Sequence, residues 1–263
     1  MTWPVLRCTG RPRRSSTVVV GSMPRPRYIK DLIERDTSEG GSSEEFQRLM
    51  DGAVPYVAQM QESAGIDVIS DGEWRRKSYI GVIADMCSGF ELSIREVAGQ
   101  RQTWHVVTER IELTNPGKAV AEARFLMAHT DRKVKVALPS PYLLGERMWD
   151  PERSRDAYPT RRDFTESLVP ILRHELMALR DEGVAIAQFD DPHLCLFVDP
   201  SIRAQYDDPN GEMAYCVDLL NRIVDGVDGV KLALHVCRRN KGRAGWIGEG
   251  GYEPILPALR ELN

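Results

Sequence analysis

His235 and Cys237 stand two residues apart at the end of a short apolar run, residues 230–238, VKLALHVCR. An imidazole nitrogen and a thiol sulfur are donors that zinc accepts readily. If the run is a strand, residues i and i+2 point to the same face, and the two donors lie side by side. Asp228-Gly229 before the run and the basic, glycine-containing RRNKGRAG after it set its bounds. Its length and flanks favour a buried strand over a helix. The plainer account is a core cysteine beside a hydrogen-bonded histidine, because two donors make only half of a tetrahedral shell. Residue type and spacing leave both accounts open.

Three further polar clusters have the same setting. Residues 66–70 (IDVIS) run into Asp71-Gly72-Glu73-Trp74-Arg75-Arg76. There Glu73 could bind a substrate ammonium or assist proton movement; a glycine turn edged by surface ion pairs is the alternative. Residues 184–189 (VAIAQF) end in Asp190-Asp191-Pro192-His193. Adjacent aspartates can bind a metal, orient a base or cap the following helix. Residues 17–20 (TVVV) give way to Gly21-Ser22-Met23-Pro24, with Ser22 at the junction of strand and loop. Arg25 and Arg27 follow, placed either to meet an anion or to remain solvated.

The elements that must position these residues alternate. Apolar spacing predicts helices over residues 43–64, 119–129, 163–182 and 212–224, with a short one over 252–262. Ser43 is the expected cap of the first. Strands are expected near 17–21, 66–70, 105–113, 133–138, 184–189 and 230–236, the third either a single strand or an edge hairpin. Pro139-Ser140-Pro141-Tyr142 reads as an extended loop and residues 147–162 as a polar surface excursion. Strand and helix in alternation mark a parallel α/β fold. Five strand ends carry Ser22, Asp71 and Glu73, Ser140, Asp190 and Asp191, and His235 and Cys237. Catalytic groups collect at that face in a (β/α)8 TIM barrel, so an incomplete barrel of about six strands is expected. Unpaired edges of such a wall invite a homodimer.

The chain has 263 residues, a size that α/β barrels reach as one domain. A formal net charge of −4 offers no basic field for nucleic acid. No apolar run approaches the roughly 18 residues that a membrane span needs. Five scattered cysteines do not form a disulfide framework, which points to the cytoplasm. Residues 1–16 carry arginines and no acid and read as a basic disordered leader, leaving 17–263 as the domain. No glycine-rich phosphate loop is present.

Five segments together resemble the cobalamin-independent methionine synthase family, in its catalytic C-terminal (β/α)8 domain and its short homologues. They are VGSMP at 20–24, DGEWRR at 71–76, KVALPSP at 135–141, QFDDP at 188–192 and LHVCRRN at 234–240. The resemblance covers residues 17–263. It implies zinc-dependent methylation of the homocysteine thiol, with methyl-folate or a corrinoid protein as donor. It implies that His235 and Cys237 are zinc ligands and that Ser22 and Glu73 hold the amino acid. Asp190 would then be the catalytic aspartate near amino acid and donor. The family completes its zinc site with a glutamate and a second cysteine on later strands. Cys8, Cys87, Cys195 and Cys216 do not match that position, so a chain truncated at its C-terminus is expected; Glu249 is the nearest substitute. Two alternatives are an epoxide–thiol transferase of the coenzyme M type on the same zinc site and a non-catalytic homologue.

Overall fold

The computed structural model describes residues 15–38, 44–97, 100–238 and 247–263. Most of the expected leader, Cys8 and the expected cap Ser43 lie outside the described residues. The chain opens with helices α1 (Arg27–Ser38) and α2 (Glu44–Ser63), then strand β1 (Val68–Ile69) and the short helix α3 (Val82–Met86). Strands β2 (Phe90–Val97) and β3 (Gln100–Val107) follow, then α4 (Lys118–Met127), β4 (Lys133–Pro139), α5 (Pro141–Met148) and α6 (Arg161–Asp181). The rest comprises β5 (Ile186–Asp190), α7 (Pro192–Leu196), α8 (Pro200–Arg203), α9 (Pro209–Val224), β6 (Lys231–His235) and α10 (Leu256–Leu259). Among the described residues no helix is long and apolar enough to cross a membrane.

The main sheet has the order β1-β4-β5-β6, all parallel. Val18 adds a parallel bridge to Val68, so residues 17–20 extend the sheet beyond β1. The spatial order follows the chain order and never reverses, which is the winding of a (β/α)8 barrel and not of an open doubly wound sheet. Side chains show the curl. Lys135 on β4 and Gln188 on β5 both donate to the carbonyl of Val20, across the intervening β1. Alternation sorts the strands. Val134, Val136 and Leu138, with Ala187 and Phe189, join the core under the helices, while Lys135, Gln188, Asp190 and His235 turn to the lumen side.

Two expectations need correction. The segment at 105–113 is not a sixth wall strand. Its first residues belong to an antiparallel hairpin, paired from Phe90 with Val107 to Val97 with Gln100. The link between β2 and β3 is too short to carry a crossover helix, and without one the strands can pair only antiparallel. The described residues therefore supply five positions of the barrel wall. Residues 139–142 are not an extended loop, and residues 147–162 are a surface excursion only in part. Pro141 takes the first position of α5, where its missing N–H is no loss, and the Ser140 side chain caps the helix by accepting from the Leu143 N–H. Met148, Ser154 and Tyr158 are buried, and Ser154 Oγ donates to the Val107 carbonyl at 2.5 Å.

An interior ion pair fixes the loop after β1 to the wall. The Arg76 guanidinium, 3% exposed, donates to Glu122 Oε2 of α4 at 2.9 and 3.0 Å and to the Ala137 carbonyl of β4 at 2.6 Å. Removing one member of such a pair strands the other charge in the interior. Glu122→Ala is expected to lower the unfolding free energy by about 3–5 kcal/mol, read as a lower urea midpoint; an unchanged midpoint would show that the pair is not needed.

Candidate active site

A cavity of about 360 Å³ opens where the parallel strands end. Ser22, Glu73, Asp190, His235 and Cys237 all line it. A second hollow, about 490 Å³, is bounded by Glu62 and residues 127–132. It lies at the amino end of β4, the face that serves stability in barrels, and holds none of these groups.

Strand register puts Asp190 and His235 at one level. His235 Nδ1 and Asp190 Oδ1 are 3.0 Å apart. The same Asp190 oxygen accepts from Gln188 Nε2 at 2.7 Å. Behind Gln188 lies the buried ammonium of Lys135, which donates to Gln188 Oε1 at 2.9 Å and to the Val19 and Val20 carbonyls at 2.6 Å each. An ammonium can only donate. The amide oxygen of Gln188 must therefore face Lys135, and its NH₂ must face Asp190. Asp190 in turn accepts the Nδ1 proton of His235, so Nε2 is the ring nitrogen that Asp190 does not engage. The hydrogen bond to Asp190, and after it the one to Cys237, pushes His235 up to about 9 against partial burial. Desolvation pulls Lys135 below the ordinary lysine range, opposed by Asp190, Glu73 and Asp71.

The adjacent aspartate has a different task. Asp191 is fully buried and caps α7, accepting from the Leu194 N–H at 2.8 Å. It also accepts from Ser140 Oγ at 2.6 Å and from the Cys216 thiol at 3.0 Å. Burial raises its carboxyl above the usual range. Neighbouring residues on an extended strand end point opposite ways, so one aspartate enters the cavity and the other joins the helices.

Glu73 is held by its backbone. Its φ of 58° is the one positive value at a non-glycine position among the described residues. Asp71 Oδ1 accepts the Glu73 N–H at 2.9 Å. Gly72, with φ 65°, fits where a Cβ would crowd Met23, Trp74 and Val57. Ser22 Oγ donates to Glu73 Oε2, which joins the first strand end to the second. Arg25 does not present itself to a ligand: its Nη2 donates to the carbonyls of Glu73 and Arg76, at 2.6 Å each. Arg27 is solvated, its side chain 94% exposed.

His235 and Cys237 suit two positions of a zinc shell in donor type and adjacency, and Asp190 supplies the carboxylate that metal-bound histidines favour on the other nitrogen. Among the described residues no group of three or more His, Cys, Asp and Glu is placed to hold a metal. Glu249 is exposed and its backbone N–H donates to Asp199, away from the cavity lining. Cys87, Cys195 and Cys216 are buried thiols outside the lining. Tyr79 and Arg147 do line the cavity, and residue type and spacing had not singled them out. Arg147 follows a strand end by eight residues and reaches back from the last turn of α5.

The fold and the cavity define a barrel-type α/β protein with its polar centre at the carboxyl ends of the strands. Residues 15–244 match the family described as cobalamin-independent synthase, catalytic domain, and the chain belongs to that family. It is 28% identical over 248 residues to the methionine synthase of Sulfolobus acidocaldarius, covering 93% of this chain and 65% of that protein. It is 25% identical over 257 residues to that of Sulfurisphaera tokodaii, covering 94% and 65%. The chain thus spans 65% of the length of these relatives. Among solved structures, a B12-independent methionine synthase from a Shewanella species, in complex with selenomethionine, superposes with a TM-score of 0.71 at 24% identity. That match covers 94% of this chain and 70% of the other. A Listeria monocytogenes protein described as a putative vitamin-B12 independent methionine synthase gives 0.64 at 22%, covering 87% and 68%. Both show the shared fold.

A histidine with a raised folded pKa contributes stability that is complete below its unfolded value near 6.5 and is lost as pH rises through about 9. The metal-free protein is expected to lose thermal stability across that window. Asp190→Asn should flatten the dependence, since Asp190 is the largest cause. Calorimetric unfolding of both proteins over the window checks this; equal slopes would show that Asp190 does not hold the proton.

Proposed function

We propose that the chain carries the thiol-activating centre of a zinc-dependent methyltransferase that converts homocysteine to methionine. The observation that carries the reading is the convergence of Ser22, Glu73, Asp190, His235 and Cys237 in one cavity, in a chain of this family. His235 and Cys237 would be two of the zinc ligands. Zinc, when bound, supplies a thiolate at neutral pH from a substrate thiol whose own pKa is near 8.5.

The chain's residues do the rest. Glu73 is 5% exposed and faces the cavity as a carboxylate, suited to a substrate ammonium. Ser22, hydrogen-bonded to Glu73, fixes that carboxylate and can turn its own oxygen to the amino acid. Asp190 holds His235 in the tautomer that leaves Nε2 for a ligand and is our assignment for the catalytic aspartate. Gln188 and Lys135 keep Asp190 in place. The donor is methyl-folate or a methylated corrinoid. The homocysteine sulfur, having lost its proton, bonds to the methyl carbon as that carbon's bond to nitrogen or cobalt breaks. The bonding pair stays with the donor, and a released folate nitrogen takes up a proton. A thiol site of this kind suits the reducing cytoplasm.

Zinc loading must displace the His235 proton, so apparent zinc affinity should rise with pH up to about 9. His235→Ala and Cys237→Ala should each abolish zinc retention after gel filtration, measured by elemental analysis. Glu73→Gln should leave zinc content unchanged and weaken homocysteine binding by at least about tenfold in calorimetry. Full zinc retention in Cys237→Ala, or unchanged homocysteine affinity in Glu73→Gln, would overturn the assignment.

A further inference from the structure

We propose that Arg147 is the anion-recognition residue of the cavity, its guanidinium taking the carboxylate of an amino-acid thiol or the sulfonate of an alkyl thiol. This rests on reading the cavity as a thiol-substrate site and does not depend on methyl transfer. Other arginines near the strand ends are committed. Arg25 holds the carbonyls of Glu73 and Arg76, Arg76 holds Glu122, and Arg161 lies between Glu146 and Glu212. Arg162 is bound to Glu212 at 2.6 Å. Arg147 alone of this set lines the cavity. It is half-buried, and among the described residues it makes no hydrogen bond or ion pair. Its sequence neighbour Glu146 is turned to Arg161, at 2.5 Å.

The charges around the cavity favour this assignment. Asp190 already accepts from His235 and Gln188, and Glu73 from Ser22. Among the described residues Arg147 is the lining cation without a partner. A half-buried guanidinium without a counter-charge is a desolvation cost that an incoming anion relieves. Its planar fork matches a carboxylate or sulfonate through two parallel hydrogen bonds. With Glu73 for an ammonium and His235 and Cys237 on the sulfur side, Arg147 completes a three-point fit to a zwitterionic thiol. A plainer role is that a cation in the last turn of α5 complements the helix dipole; that role moves stability and leaves ligand preference untouched.

Two pairs of probes separate these roles by calorimetry with zinc-supplemented protein: L-methionine against L-methioninamide, and 2-mercaptoethanesulfonate against 2-mercaptoethanol. Each pair differs in the anionic group. The wild type should prefer the anionic member of at least one pair by about tenfold or more. Arg147→Gln should erase the preference by weakening the anionic member, with the thermal midpoint unchanged. Arg147→Lys, a second variant that keeps charge without the fork, should retain part of it. Glu73→Gln should weaken L-methionine and its amide together and leave their ratio intact. A preference confined to the sulfonate pair and lost in Arg147→Gln upholds the role of Arg147 while sinking homocysteine as the acceptor. No preference in the wild type, no binding of any probe, or a preference that survives Arg147→Gln overturns the proposal.

Discussion

A lysine ammonium inside the barrel wall is the constraint from which the site follows. Lys135 leaves water to donate three hydrogen bonds, two to backbone carbonyls of the first strand segment and one to Gln188. A buried ammonium is tolerated only when its donors are met. That requirement draws residues 19–20 against β4 and β5, and so sets where Ser22 emerges. It also sets which way the Gln188 amide faces, hence which atom Asp190 meets, hence which nitrogen of His235 remains for a ligand. Four strand positions are coordinated through one positive charge.

The part of this that was legible in the sequence is the part governed by the two-residue period of a strand. His235 and Cys237 were paired by that period alone, and the structure places both at the cavity. The ends of the other parallel strands were marked by abrupt changes from β-branched or apolar runs to polar, glycine or proline residues. Those punctuation marks located Ser22, Glu73 and Asp190 at one face before any geometry was known. Membership of the family accounts for the arrangement as a whole, and the chemistry of each residue is what its neighbours then allow.

The rest was hidden because it depends on partners far apart in the chain. Asp190 and Asp191 are the same residue type in succession; only the lumen on one side and α7 with Cys216 on the other tell them apart. Arg147 and Arg161 look alike as surface arginines, and they differ in whether a carboxylate comes within reach. Pro139-Ser140-Pro141-Tyr142 reads as an extended loop, although Ser140-Pro141 is an ordinary cap followed by a first-turn proline. The hairpin of β2 and β3 shares its alternation with any strand, so a single strand and an edge hairpin both stay open until the pairing is seen. Period reveals faces, whereas tertiary pairing decides tasks.

Position 73 carries a backbone geometry that glycine or asparagine adopts far more easily than glutamate. If thermal stability alone were under selection, the chain would drift toward one of those residues there. A laboratory screen for heat resistance would be expected to recover such replacements and to yield robust proteins whose cavity lacks the Glu73 side chain. The turn at Gly72-Glu73 is thus a point where endurance and usefulness diverge, and persistence of the acid in descendants of this chain would report that the cavity is still at work.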